Sequence, residues 1–150
     1  MYSAVIYGVL ALYLLYRMLL FYFPEKTSKA SIWLILVSAN LFWYIVFEPS
    51  ISHVNDFFTF VAFINLFLRC AKSHRMIDYI SMAALGGLNI LVRTQNIVTI
   101  GLFSILLVIR EISERDGLRH LITYSAALII SILPLPLTNI YLYGSNSQYE

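Results

Sequence analysis

A short segment between two apolar runs concentrates residues that can do chemistry. Glu48, His53 and Asp56 bring two carboxylates and one imidazole into nine residues. Such groups can bind a metal ion or exchange protons with a substrate. The alternative is a turn in which Asp56 is the N-cap of the next helix, because Asp side chains often accept hydrogen bonds from a helix's first turn. His53 has no paired histidine, so the cap is the simpler interpretation and a role in a binding site stays open.

Arg93 is a further candidate, because it is an isolated cation at the end of an apolar run. Thr94-Gln95-Asn96 follow it, and the apolar sequence then resumes. A guanidinium in this place can hold a phosphate through two parallel hydrogen bonds. The alternative is a side chain that snorkels from a helix end towards water while its stem packs on apolar surface. The residues alone leave both interpretations open.

Other patterns indicate packing, or argue against particular classes of site. Ala83 and Gly87 are four residues apart, a spacing at which two membrane helices can pack closely. The sequence contains no glycine-rich nucleotide loop, no paired-cysteine metal site and no serine nucleophile motif. It identifies no cofactor and leaves open whether a divalent metal takes part. No basic patch suits nucleic acid, so we expect no nucleic-acid partner.

The elements that position these residues are expected to lie in a membrane. Of the 150 residues, 60% are hydrophobic and 12% are charged. Soluble domains have roughly 45–50% apolar and about 25% charged residues. A soluble domain of this size needs more polar surface than the chain has, whereas long apolar runs are typical of membrane spans.

Apolar runs along the whole chain predict an all-α fold, a polytopic transmembrane helical bundle of about six spans. The runs cover residues 2–23, 30–47, 56–68, 77–92, 97–109 and 121–143. A helix rises about 1.5 Å per residue, so about 20 residues cross the hydrocarbon core. The third run is short for a span, and Pro134 and Pro136 interrupt the sixth. Residues 1–150 are expected to form a single transmembrane domain.

The cations predict the orientation of these spans. Eight of the ten Lys and Arg residues lie in three alternate connections, 24–30, 69–76 and 110–120. Loops rich in Lys and Arg stay in the cytoplasm, so these three are expected on that side. The opposite connections contain only Arg93. The charges of residues 111–119 are most simply solvated. We expect a multi-pass protein of the plasma membrane, surrounded by membrane lipids.

Three segments resemble, in their order and membrane side, parts of the polytopic GT-C glycosyltransferases. The closest members are protein-mannosyltransferase-like and lipid A aminoarabinose-transferase-like. Residues 53–58 (HVNDFF) open a helix that ends at Arg69, similar to the family's acidic-start helix. Residues 85–93 (LGGLNILVR) resemble its glycine-containing helix that ends in arginine. Residues 134–145 (PLPLTNIYLYGS) resemble its pattern of proline, asparagine and aromatic-Gly-Ser.

The resemblance implies transfer of a sugar from a polyprenyl-phosphate-linked donor to an acceptor at the outer membrane face. Arg93 would steady the donor phosphate, while Asp56, His53 and Glu48 would belong to the outer-face site. Family members begin with one span and an outer loop that carries the catalytic acid. The orientation puts both termini outside, so we expect such a segment upstream of this chain. The chain by itself is then expected to be inactive.

Two other functional classes stay open. A transporter or channel would show ionisable residues in the middle of several helices, or an inverted repeat. Apart from Arg17 we see neither in the sequence. A non-catalytic membrane subunit is also consistent with the pattern.

Overall fold

The helices follow the apolar runs, with boundaries that differ at several places. The computed structural model describes residues 2–38, 40–47 and 52–144. Every regular element in those ranges is helical, which confirms the all-α class. The helices are α1 (Tyr2–Leu19), α2 (Glu25–Ser38), α3 (Leu41–Val46), α4 (His53–Ser73), α5 (Met76–Val92), α6 (Ile97–Glu111), α7 (Gly117–Ile132) and α8 (Pro134–Tyr143), with a 3-10 turn, Thr94–Asn96, before α6. Contacts divide the chain into two units, Met1–Lys72 and Ser73–Glu150.

Several helical segments have the length and apolar character of membrane spans. Three of them qualify within the described ranges: His53–Ser73, Thr94–Glu111 and Gly117–Leu142. Ser3–Leu19 and Met76–Val92 are apolar but shorter. Large side chains such as Leu102, Ile109 and Ile130 stay exposed on these helices, and soluble monomers rarely expose wide apolar patches. The chain is therefore compatible with a multi-pass membrane protein, with three qualifying segments rather than six.

The second apolar run is divided between two helices. Asn40 precedes α3 with φ 53°, in the left-handed region. Asparagine tolerates that conformation better than most residues, because its short polar side chain can bond locally. The prediction of one helix over residues 30–47 is therefore wrong. Leu41 of α3 joins Ala4 and Val54 in the apolar core of the first unit.

The fourth helix is longer than the third apolar run. It begins at His53 and ends at Ser73, 21 residues in all. Arg69 and Lys72, which were predicted in a loop, therefore lie near its C-terminal end. Positive side chains are favourable there, because helix carbonyls leave partial negative charge at that end.

In the second unit, α5 runs antiparallel to α6 and parallel to α7. Tyr79 near the start of α5 bonds Glu111 at the end of α6, so these two helices run in opposite directions. His120 near the start of α7 stacks on Tyr79, and Ser131 near its end lies against Gly87. Both contacts advance along α5 and α7 together, so these helices run in the same direction.

Gly87 allows this close approach of α5 and α7. A Cβ added to Gly87 would overlap the Cβ of Ser131, and Ala83, one turn earlier, is completely buried. The prediction that the Ala83 and Gly87 face packs on another helix is confirmed. Beyond α7, Pro134 is the first residue of α8. Proline suits this position because the N–H groups of a first helical turn have no partner within the helix, so its missing N–H costs no hydrogen bond.

Candidate functional site

Glu111 is a buried carboxylate at the end of the candidate span Thr94–Glu111. Its side chain is 0% exposed within the structure. A negative charge is unfavourable at a helix C-terminus, and burial away from water adds to that cost. A carboxylate in such a place is tolerated only when several donors satisfy it.

The donors to Glu111 come from three different segments. Oε1 accepts hydrogen bonds from the Tyr79 hydroxyl at 2.9 Å and from Arg110 Nε and Nη2 at 2.9 and 2.8 Å. Oε2 lies 2.8 Å from His120 Nδ1. Both carboxylate oxygens are thus bonded, and the negative charge is balanced by the neighbouring guanidinium.

Aromatic stacking fixes the imidazole of this site. The Tyr79 and His120 rings are nearly parallel, with centroids 4.5 Å apart and planes 12° apart. The centroid of the exposed His74 ring lies 5.9 Å from that of His120, with an angle of 26° between the two planes. We call His74, Tyr79, Arg110, Glu111 and His120 the Glu111 cluster.

Gly117 lets α7 begin beside Glu111. It is buried, and a Cβ there would overlap the carbonyl oxygen of Glu111. The residues between these two, 112–116, are exposed. This tight reversal places His120, in the first turn of α7, against the carboxylate that ends α6. The cluster can therefore share a proton between imidazole and carboxylate, or offer nitrogen and oxygen ligands to a metal ion.

The first unit contains an exposed carboxylate in a surface ion pair, which contrasts with the buried carboxylate of Glu111. Glu25 pairs with Lys29 one helical turn later, and both side chains are largely exposed. The hydrogen bond and positive charge of Lys29 hold the pKa of the Glu25 carboxyl below its usual value. Water screens this pair, so it contributes little to stability.

The residues of the predicted outer-face site have separate surroundings. Glu48 lies outside the described residues. His53 and Asp56 both occupy the first turn of α4, and the Asp56 N–H donates to the Ser52 carbonyl at 2.8 Å. The helix begins at His53, so Asp56 is not its N-cap, and that interpretation is wrong. The His53 ring lies 4.3 Å from the Tyr44 ring, so an aromatic neighbour positions it.

Arg93 lies between α5 and the 3-10 turn, as its sequence position predicts. Its backbone is extended, its N–H donates to the Asn89 carbonyl at 3.1 Å, and its own carbonyl accepts from the Asn96 N–H at 2.9 Å. The Asn96 side-chain amide also donates to the Asn89 carbonyl, at 3.2 Å. Arg93 is half-buried. The local hydrogen bonds stabilise the backbone turn that carries its guanidinium.

Sequence reasoning missed the Glu111 cluster. The charges of residues 111–119 were predicted to be solvated, but the Glu111 carboxylate is buried, and so is His120 just beyond this segment. One local signal was present: an acidic residue ends an apolar helix, where a cation is favourable. The partner Tyr79 lies 32 residues earlier, so only the packing of the helices connects it to Glu111.

Comparisons with known proteins identify no family for this chain. No protein-family model, no curated protein and no solved structure matches it. The resemblance to GT-C glycosyltransferases therefore rests on the three segments of the sequence.

Proposed function

We propose that this chain is part of an integral membrane glycosyltransferase of the GT-C type. It would transfer a sugar from a polyprenyl-phosphate-linked donor to an acceptor at the outer membrane face. Two features support the proposal: helices that are long and apolar enough for a membrane, and the order of the three family-like segments. The observation that carries it is Arg93, a half-buried cation in the ordered turn between two apolar helices.

Arg93 suits the phosphate of such a donor for a chemical reason. When the bond between sugar and phosphate breaks, negative charge grows on the leaving phosphate oxygen. A fixed guanidinium nearby stabilises that charge more in the transition state than in the bound donor, which lowers the barrier. Its planar pair of N–H groups can bond two phosphate oxygens at once, which an ammonium group cannot do in the same way.

The topology belongs to the same proposal. We propose about six passes, the three basic connections in the cytoplasm, and the plasma membrane as the location. The turn at Arg93 then lies at the outer face, while Arg110 and Arg115 lie at the cytoplasmic face. His53 and Asp56, at the start of α4, would shape the donor or acceptor site from the outer side.

The direct test measures binding of a polyprenyl phosphate to the chain in lipid nanodiscs. We expect Arg93→Ala to weaken binding roughly tenfold to a hundredfold, the loss of one charge-assisted contact. Arg93→Lys should retain part of the affinity. Arg115→Ala is the matched control, because it removes an exposed cation from the connection 112–116.

The two outcomes separate phosphate recognition from simple attraction between charges. Equal weakening in Arg93→Ala and Arg115→Ala would show that the lipid responds only to net charge. Unchanged binding in Arg93→Ala would leave a snorkelling side chain and overturn the proposal. In the enzyme, transfer from a radiolabelled donor should fall about a hundredfold in Arg93→Ala at equal protein level.

A further inference from the structure

We propose that His74, Glu111 and His120 form a binding site for a divalent transition-metal ion, with Zn²⁺ the best fit. One possible ligand atom from each of the three residues lies within 4.8 Å of the others. The site lies wholly within the second unit, at the end of the α5–α6 pair opposite to Arg93. It is independent of the proposed sugar transfer.

The donor types select the metal. Two imidazoles and one carboxylate are a usual ligand set for zinc, and they leave a fourth position for water or another ligand. Mg²⁺ and Ca²⁺ prefer oxygen ligands, so a site with two nitrogen donors discriminates against them.

The distances are close to those that a metal requires. Ligands at ~2.1 Å in a tetrahedral site are roughly 3.4 Å from one another. The observed upper limit of 4.8 Å is somewhat larger, and His74 is the exposed member of the set. A rotation of that side chain can bring its nitrogen towards the two buried ligands. Glu111 Oε2 and His120 Nδ1, at 2.8 Å, need to separate only slightly to receive an ion between them.

The surrounding residues hold the two buried ligands in place. Tyr79 and Arg110 both bond Oε1 of Glu111, so that Oε2 is directed towards His120. The Tyr79 ring also stacks on the His120 imidazole. Groups that orient metal ligands in this way commonly contribute 10- to 100-fold to metal affinity. Arg110 lowers the attraction of the carboxylate for a cation, but it does so through the oxygen that faces away from His120.

The third ligand has an unusual backbone that brings it to the site. His74 has φ 47° in the short connection between α4 and α5. The left-handed region is unfavourable for most residues with a side chain, although it occurs at helix C-termini, where glycine is preferred. Histidine adopts this conformation more often than most residues, and here it accompanies an imidazole whose centroid lies 5.9 Å from that of His120. A bound ion would join the start of α5, the end of α6 and the start of α7.

The test is metal binding by the purified chain in nanodiscs, after chelation and removal of all metals. We expect tight binding of about one Zn²⁺ per chain. Co²⁺ should occupy the same site and give the visible absorption of a tetrahedral complex. His74→Gly should weaken Zn²⁺ binding by more than the roughly 10- to 100-fold typical of an orienting residue. Glycine favours the left-handed backbone, so this variant removes the ligand without adding strain.

Two further variants make the result decisive. Glu25→Gln removes an exposed carboxylate from the first unit and should leave Zn²⁺ affinity unchanged. Tyr79→Phe keeps the stacked ring but loses the hydroxyl that orients Glu111, and should reduce affinity 10- to 100-fold. The absence of stoichiometric Zn²⁺ binding, or equal affinity in the unaltered chain and in His74→Gly, would overturn the proposal and leave the cluster as a hydrogen-bonded network only.

Discussion

The two ends of the α5–α6 pair each carry an arginine, in very different surroundings. Arg93 lies in a turn that is shaped by backbone hydrogen bonds among residues 89–96. Arg110 bonds the buried Glu111, which also bonds Tyr79 and His120 from two other helices. At the Glu111 end, side chains from three helices therefore meet on one carboxylate. We infer that the Glu111 end holds the helices together, whereas the role proposed for the Arg93 end is to bind the donor phosphate.

The largest effect is expected from Glu111→Gln. It removes the negative charge that Arg110 and His120 surround, and breaking a buried charge network costs about 3 kcal/mol or more in the free energy of unfolding. Glu114→Gln is the matched control, because Glu114 is exposed in the connection before α7. Unfolding by denaturant in micelles, followed by circular dichroism, gives both values. Equal stability of the two variants would contradict the structural role of the cluster.

A smaller effect is expected midway between the two ends. Gly87→Ala introduces a Cβ that overlaps Ser131, and overpacking of this kind costs about 1–3 kcal/mol. Gly101 is the matched control, since a Cβ there meets no atom within 4 Å. Gly101→Ala should be neutral or should stabilise by up to ~1 kcal/mol, because alanine has the higher helix propensity. The same unfolding measurement applies, and equal values for Gly87→Ala and Gly101→Ala would show that α5 and α7 are not in close contact.

The difference between the two ends also explains what the sequence predicts. Runs of apolar residues predicted α5 and α6 within a few residues, and Arg93 lies where the pattern places it. The packing of Gly87 followed from a spacing of four residues. The helix bounds, the place of Arg93 and the choice of packing face follow from local patterns, whereas the partner Ser131 of Gly87 comes from another helix.

Other features were missed or wrong, either because the local signal is weak or because they depend on distant residues. The break at Asn40 has no proline or glycine to signal it, since asparagine supports the left-handed backbone instead. The Glu111 cluster joins Tyr79, Glu111 and His120 from three helices, and no periodicity within one helix relates them. Within residues 111–119, whose charges were predicted to be solvated, residues 112–116 are exposed and only the carboxylate of Glu111 is buried.

Labelling of introduced cysteines should show that the two ends of α6 lie on opposite sides of the membrane, and the substitutions should not change stability. Thr94 and Ser113 are both exposed, and they lie beyond opposite ends of α6. Cys70→Ala would give a background without cysteine, into which either Thr94→Cys or Ser113→Cys is introduced. A membrane-impermeant thiol reagent added to intact cells should label Thr94→Cys and should not label Ser113→Cys. Labelling of both from the same side would mean that α6 does not cross the membrane, and labelling of Ser113→Cys alone would reverse the orientation.

The central claim is that recognition of the lipid phosphate and stabilisation of the helix packing are divided between the two ends. The most direct measurement determines polyprenyl-phosphate affinity and unfolding free energy in nanodiscs for both Arg93→Ala and Glu111→Gln. Arg93→Ala should lose affinity roughly tenfold or more while its stability stays close to that of the unaltered chain. Glu111→Gln should lose stability, and the molecules that remain folded should bind the lipid normally. Reduced stability with normal lipid affinity in Arg93→Ala would contradict the account.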